Sequence, residues 1–219
     1  MTASDDLPSL FRAVAARWPE APAVLTEAPV WSYSALDRAS DSVAAGLAER
    51  GVAPGDRVAL YCPNGAEFVV CYLAILKCGA VVVPINLLQS PAAIAFMLDD
   101  CGVMALCVHT DLAGPVGAAC AEVPSVRLRI GIGFDNDGAV DAHLEQMMAP
   151  VTLQPVTIDA GADAVILYTS GTTGRPKGAV LTHANLATNA RSVAEVLEFE
   201  PDRDRVLVVL PMFHAFAGT

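Results

Sequence analysis

The chain is poor in aromatic residues and in basic charge. Phe, Trp and Tyr make up 6% of its 219 residues, and 13 Lys and Arg face 24 Asp and Glu, a formal net charge of −11. A surface of that sign repels phosphate backbones and anionic lipid, which argues against a general nucleic-acid-binding or membrane-surface role. No C-x-x-C pair occurs among the six cysteines at 62, 71, 78, 101, 107 and 120. Most stand in apolar runs, so reduced, buried thiols in a cytoplasmic protein are expected in place of a disulfide framework. These spacings, and the scatter of His109, His143, His183 and His214, also argue against a structural zinc site. Long hydrophobic runs are missing too. The longest charge-free one, Phe68 to Leu76, is far shorter than the roughly 20 residues of a transmembrane helix. The start, Met1 to Asp6, is acidic and shows no secretory signal pattern. What is abundant is apolar residue, 54% of the chain, enough for a sizeable core and for one or two domains.

Apolar spacing alternates between helix and strand periods. It predicts a helix over Leu7–Trp18, ended by Pro19, and a second helix capped by Ser34 and running to about Arg50. Then come a strand over Arg57–Tyr61, a helix over Glu67–Lys77, a strand over Gly79–Ile85 and a helix opened by Pro91 after a Ser90 cap. A strand over Val103–Val108, a helix over Asp111–Ala121 and a strand over Val126–Ile130 complete the series. Strand–helix alternation of this kind predicts an α/β fold, a mostly parallel sheet with right-handed crossovers and helices on both faces. Gly133 to Pro155 is polar and reads as a connector with room for one short helix. Beyond Asp163 the pattern predicts strand, loop, strand, a helix from about Thr182 to Leu197, and a last strand over Arg205–Leu210.

One loop carries more chemistry than the rest. Tyr168-Thr169-Ser170-Gly171-Thr172-Thr173-Gly174-Arg175-Pro176-Lys177-Gly178 puts four hydroxyls and two glycines in the six positions from Thr169 to Gly174. Without bulky side chains, its amides can approach an anion closely; the hydroxyls add donors, and Lys177 adds a compact positive charge. It is no Walker A loop, because Pro176 stands five positions after Gly171 and Lys177 precedes Gly178. It also lacks G-x-G-x-x-G. With β-like runs at Ala164–Tyr168 and Ala179–Leu181, it reads as a hairpin that cradles phosphate, most simply that of a nucleotide.

At these residues the chain resembles the adenylate-forming superfamily of acyl-CoA synthetases, luciferases and peptide-synthetase adenylation domains. Tyr168 to Gly178 is similar to that family's phosphate-loop signature. Trp31–Leu36, Leu76–Asn86 and Leu210–His214 resemble three further family elements, in the family's order. The resemblance implies a first α/β subdomain over residues 1–160, and a phosphate-loop hairpin at 161–219 that opens the next subdomain of a longer enzyme. It implies ATP, Mg²⁺ and CoA as cofactor and cosubstrates, with a small-molecule carboxylate as substrate. Adenylation of the carboxylate would precede thioester formation. It assigns Thr169, Ser170, Gly171, Thr172, Thr173, Gly174 and Lys177 to the nucleotide, Thr169 also to the metal, and His214 to the carboxylate as the catalytic candidate. "PINLLQSP" and "PMFH" look like acyl-CoA synthetases, so a fatty or other apolar acid is expected. Because the family's acidic metal ligand and catalytic lysine lie downstream of its "LPLFH" element, the 219 residues alone are expected to be inactive. A non-catalytic ATP-binding module, a partner-binding α/β fragment and a peptide-synthetase-type domain are the competing readings. Outside the loop, His183 reads as a helix-start residue, Pro84 and Asn86 as turn formers, Lys77 as a helix-ending cation and Arg175 as solvent-facing.

Overall fold

The computed structural model describes residues 6–26, 29–134, 138, 140–151, 153–154, 156–169, 175–200 and 204–214. Helix α1 (Leu7–Arg17) begins at Asp6, whose carboxylate accepts the Ser9 N–H at 2.8 Å. Strands β1 (Pro22–Val24) and β2 (Trp31–Ser32) form a small antiparallel pair that leads into α2 (Tyr33–Glu49). The cap of α2 is Ser32 and not Ser34: the Ser32 hydroxyl accepts the Ala35 N–H at 3.2 Å, two residues before the expected start. Two serines four residues or fewer from the apolar run satisfy the same cap pattern, and only the backbone geometry chooses between them.

The remaining elements are β3 (Arg57–Tyr61), α3 (Ala66–Lys77), β4 (Val81–Pro84), α4 (Pro91–Asp100), β5 (Val103–His109), α5 (Ala113–Ala121), β6 (Leu128–Ile132), β7 (Ala142–His143), α6 (Leu144–Met147), β8 (Asp163–Thr169), β9 (Lys177–Thr182) and α7 (His183–Val196). A single 3₁₀ turn, Thr110–Leu112, precedes α5. The short strand β7 went unseen in the sequence because two residues show no period; the short helix expected in that connector is α6.

Seven strands form one sheet in the order β7-β6-β5-β3-β4-β8-β9, all parallel except the β8–β9 hairpin. The architecture is thus α/β with a mostly parallel sheet between helical layers. Alternate residues of the central strands serve opposite faces. Val58 and Leu60 of β3 and Cys107 of β5 pack toward α2 and α3, with Val43, Leu47, Val70 and Ile75. Ala59, Tyr61, Leu106 and Val108 pack toward α4 and α5, with Ile94, Met97, Leu98 and Val116. Burial on both faces explains why these strands read as unbroken apolar runs. All six cysteines are free, and burial raises the Cys62 thiol to about 12 and the Cys78 thiol to about 11, which leaves them as packing groups.

Segment 205–210 is a correction. It forms no strand among the described residues, and Val206 to Leu210 are exposed. The β-branched run has the right composition, but a strand also needs a neighbour for its N–H and C=O groups.

His183 opens α7 as expected and is fully buried. Its Nδ1 accepts the Leu7 N–H at 3.4 Å, tying α7 to α1. Burial lowers its pKa, against a smaller upward pull from Asp6. The folded state therefore binds a proton here less readily than the unfolded chain, so this contribution to stability is present above about pH 6.5 and is lost as pH falls toward the folded pKa. Urea midpoints measured at pH 7.5 and 5.0 are expected to fall on acidification, and less so for His183→Gln. An identical fall in both proteins would remove His183 as the cause.

Candidate nucleotide-binding site

Neighbouring strands β3 and β4 send the chain to opposite faces of the sheet, β3 into α3 and β4 into α4. A crevice opens outside the carboxyl ends of parallel strands where this happens, and such crevices bind ligands. β8 lies beside β4 and parallel to it, so its end at Thr169 reaches the same edge. The predicted phosphate loop leaves the sheet there.

The described parts of that loop form its two stems. β8 and β9 pair from Asp163↔Thr182 to Thr169↔Lys177, so the hairpin reading holds and Thr169 and Lys177 face each other at the loop's mouth. The Thr169 hydroxyl lies 3.5 Å from the Lys177 carbonyl, and both residues are exposed. Ser170, Gly171, Thr172, Thr173 and Gly174 lie outside the described residues. One step into the hairpin, Tyr168 is opposite Gly178. A Cβ on Gly178 would come within 2.9 Å of Ile166 Cγ2 and 3.3 Å of Tyr168 Cζ, so glycine here lets the tyrosine ring lie across the neighbouring strand. Arg175 is exposed, as expected, and its guanidinium also sits 5.8 Å from the Phe96 ring centroid.

His214 reaches this edge by a different route. It closes a turn in which its N–H donates to the Pro211 carbonyl at 2.9 Å, and it is exposed. The turn is held by Asn64, three residues past β3. Its Nδ2 donates to the Leu210 carbonyl at 2.9 Å, and its Oδ1 accepts the Met212 N–H at 2.7 Å. In the sheet order, β3 is two strands from β8, roughly 10 Å at about 4.8 Å per strand. Asn64 thus sets the His214 segment on the same carboxyl edge as the loop. Sequence reasoning missed it, although Pro63-Asn64-Gly65 at the end of a parallel strand was the available signal. Asn86, at the end of β4, behaves as expected: its Oδ1 accepts the Leu88 N–H at 2.9 Å.

The metal assignment has little support in the described donor set. Thr169 contributes one hydroxyl, and among the described residues no group of three or more His, Cys, Asp and Glu is placed to hold an ion. Mg²⁺ takes carboxylate, phosphate and water oxygens in octahedral array, so a lone hydroxyl does not make its site.

Comparison with known proteins agrees with this arrangement. Residues 11–219 match the family described as AMP-binding enzyme. Long-chain-fatty-acid–CoA ligase FadD13 of Mycobacterium tuberculosis is 35% identical over 189 residues, covering 86% of this chain and 36% of the relative. Feruloyl-CoA synthase of an Amycolatopsis species is 36% identical over 201 residues, covering 91% of this chain and 38% of the relative. The chain therefore spans little more than a third of the length of these relatives. Among solved structures, a long-chain-fatty-acid-CoA ligase (FadD1) from Archaeoglobus fulgidus superposes with a TM-score of 0.88 at 25% identity, covering all of this chain and 45% of the other. ATP-bound MatB from Rhodopseudomonas palustris gives 0.82 at 28% identity, covering 98% of this chain and 42% of the other. With a β8–β9 hairpin at the carboxyl edge of a parallel sheet, and a family match over residues 11–219, one assignment follows: the protein belongs to the AMP-binding enzyme family.

Proposed function

We propose that this chain supplies the phosphate-holding part of an ATP-dependent carboxylate–CoA ligase. The observation that carries the reading is the Thr169–Lys177 pair at the mouth of a hairpin on the carboxyl edge of the sheet. In this reading Thr169, Ser170, Gly171, Thr172, Thr173, Gly174 and Lys177 hold the β- and γ-phosphates of ATP, which arrives with Mg²⁺. A carboxylate oxygen attacks the α-phosphorus; its bond forms as the bond to pyrophosphate breaks. The thiol of CoA then attacks the acyl carbon, and AMP leaves. Negative charge grows on phosphate oxygens in the first step, and preorganised amides, hydroxyls and an ammonium stabilise it. His214, on the segment held by Asn64, orients the carboxylate. Residues 161–219 open the subdomain that carries this machinery onward. The names of FadD13 and feruloyl-CoA synthase support a fatty or other apolar acid as substrate. Six free cysteines support a reducing compartment, the cytoplasm, and no described helix is long and apolar enough to cross a membrane.

Calorimetric titration with Mg·ATP tests the loop. Lys177→Ala is expected to weaken binding roughly 10- to 100-fold, the range for one charge-assisted hydrogen bond. Equal affinity in both proteins would overturn the assignment of Lys177. Carboxylate-dependent ATP–pyrophosphate exchange then separates a ligase from a non-catalytic nucleotide-binding module. Exchange that is present in the longest form of the protein and lost in His214→Ala supports the ligase with His214 in the stated role.

A further inference from the structure

Both described ends of the loop rest on one helix. On the incoming side, the Tyr168 hydroxyl donates to Asp100 Oδ2 at 2.7 Å and lies 3.3 Å from the Met97 carbonyl. On the outgoing side, the Arg175 guanidinium lies over Phe96. Phe96 and Asp100 are four residues apart at the end of α4 and so share a face. Asp100 is badly placed for helix stability. It follows Asp99 as the last residue of α4, with no basic residue in that turn, where the helix dipole disfavours negative charge. Its partner is a tertiary one. Burial and the Asp100 carboxylate both hold the proton on Tyr168 far above the ordinary range, so the hydroxyl remains a donor. Gly178 leaves the space that the ring occupies.

We propose that Asp100 is a positioning residue: through Tyr168 it fixes the strand end from which the phosphate loop departs, and with Phe96 beneath Arg175 it makes α4 the platform on which that loop is set. The proposal rests on the phosphate-holding reading of residues 169–177. It opposes the simplest electrostatic expectation, in which a carboxylate near a phosphate site only repels the ligand. The two effects have opposite signs on removal of Asp100.

Three measurements on the 219-residue chain decide between them: Mg·pyrophosphate affinity by calorimetry, the rate of trypsin cleavage after Lys177 without ligand, and the thermal midpoint. Cleavage after Arg175 does not interfere, because Pro176 follows it. Asp100→Ala and Tyr168→Phe are expected to weaken pyrophosphate binding roughly 3- to 10-fold, as for one hydrogen bond lost from a supporting residue, and to speed cleavage at Lys177. The thermal midpoint of Asp100→Ala should fall only modestly, since the lost Tyr168 hydrogen bond is partly offset by removal of an unfavourable charge from the helix end. Asp100→Asn keeps an acceptor for Tyr168 and should stay near wild type in both binding and cleavage. Tighter binding by both Asp100 variants would assign repulsion to Asp100 and overturn the proposal, as would wild-type binding and cleavage in Asp100→Ala and Tyr168→Phe. If the wild-type chain bound no pyrophosphate, the phosphate-holding reading would fall separately. The cleavage rates would still show whether α4 holds the strand end, and unchanged rates would sink that as well.

Discussion

Replacing Lys77 with alanine is expected to lower the unfolding free energy by about 3–5 kcal/mol, a large share of the 5–15 kcal/mol that holds a typical domain together. Lys77 is the last residue of α3 and is 1% exposed. Its ammonium donates to Asp37 Oδ1 at 2.6 Å, to the Asp37 carbonyl at 2.8 Å and to Asp41 Oδ1 at 2.7 Å, so all three of its protons are used. Asp41 also accepts from Arg12 at 2.9 Å, and the ammonium lies 5.8 Å from the Phe11 ring centroid. One buried cation thus joins α1, α2 and α3. Alanine would leave Asp37 without its cation, Asp41 with Arg12 alone, and an empty space where the Lys77 side chain ran. The two aspartates keep about a quarter of their side-chain surface in water, which places the loss toward the low end of the range. Lys77→Met should cost less, because it fills that space, and adding Asp37→Asn and Asp41→Asn to it should recover more stability. Urea denaturation of the series checks this. A loss below about 1 kcal/mol for Lys77→Ala would mean that the charges are solvated and the network is incidental.

The second large effect concerns solubility. Val206-Leu207-Val208-Val209-Leu210 is an uncharged apolar run rich in β-branched valine, with Leu207 84% and Val209 75% exposed. Close by in sequence, Val196 and Leu197 are exposed on and just beyond α7, and Phe199 follows. A strand-prone apolar run without a sheet neighbour pairs with other chains. The 219-residue chain is therefore expected to self-associate at micromolar concentration. Leu207→Lys/Val209→Lys, which places two charges in the exposed run, should shift it to monomer in size-exclusion chromatography with light scattering. A wild-type chain that remains monomeric at high concentration would contradict this.

Much of the fold was legible because its signals are local. Strand β3 has the predicted bounds, α3 and α4 begin within a residue of expectation, and Ser90 caps α4 with its hydroxyl on the Ala93 N–H at 3.3 Å. Caps, prolines and apolar periods are all read within a few residues. What escaped depends on partners far away in sequence. Lys77 looked like a helix-ending cation because Asp37 and Asp41 lie in another helix. Asn64 gave no sign of Leu210 and Met212, and Arg175 none of Phe96. The expected strand at Arg205–Leu210 failed for the converse reason: local propensity was present and a neighbour was not. At the site, the hairpin follows from composition and alternation, whereas its place beside β4 and the support from α4 exist only after folding.

Asn64 grips peptide groups on both sides of Pro211 and no side chain there. Geometry and identity are thereby uncoupled at this spot. Descendant sequences are free to exchange Leu210, Met212 or Phe213 while the grip itself survives. Lengthening or shortening the stretch by one residue would break it. Variation in the shape of this edge should accordingly proceed by replacement and not by insertion.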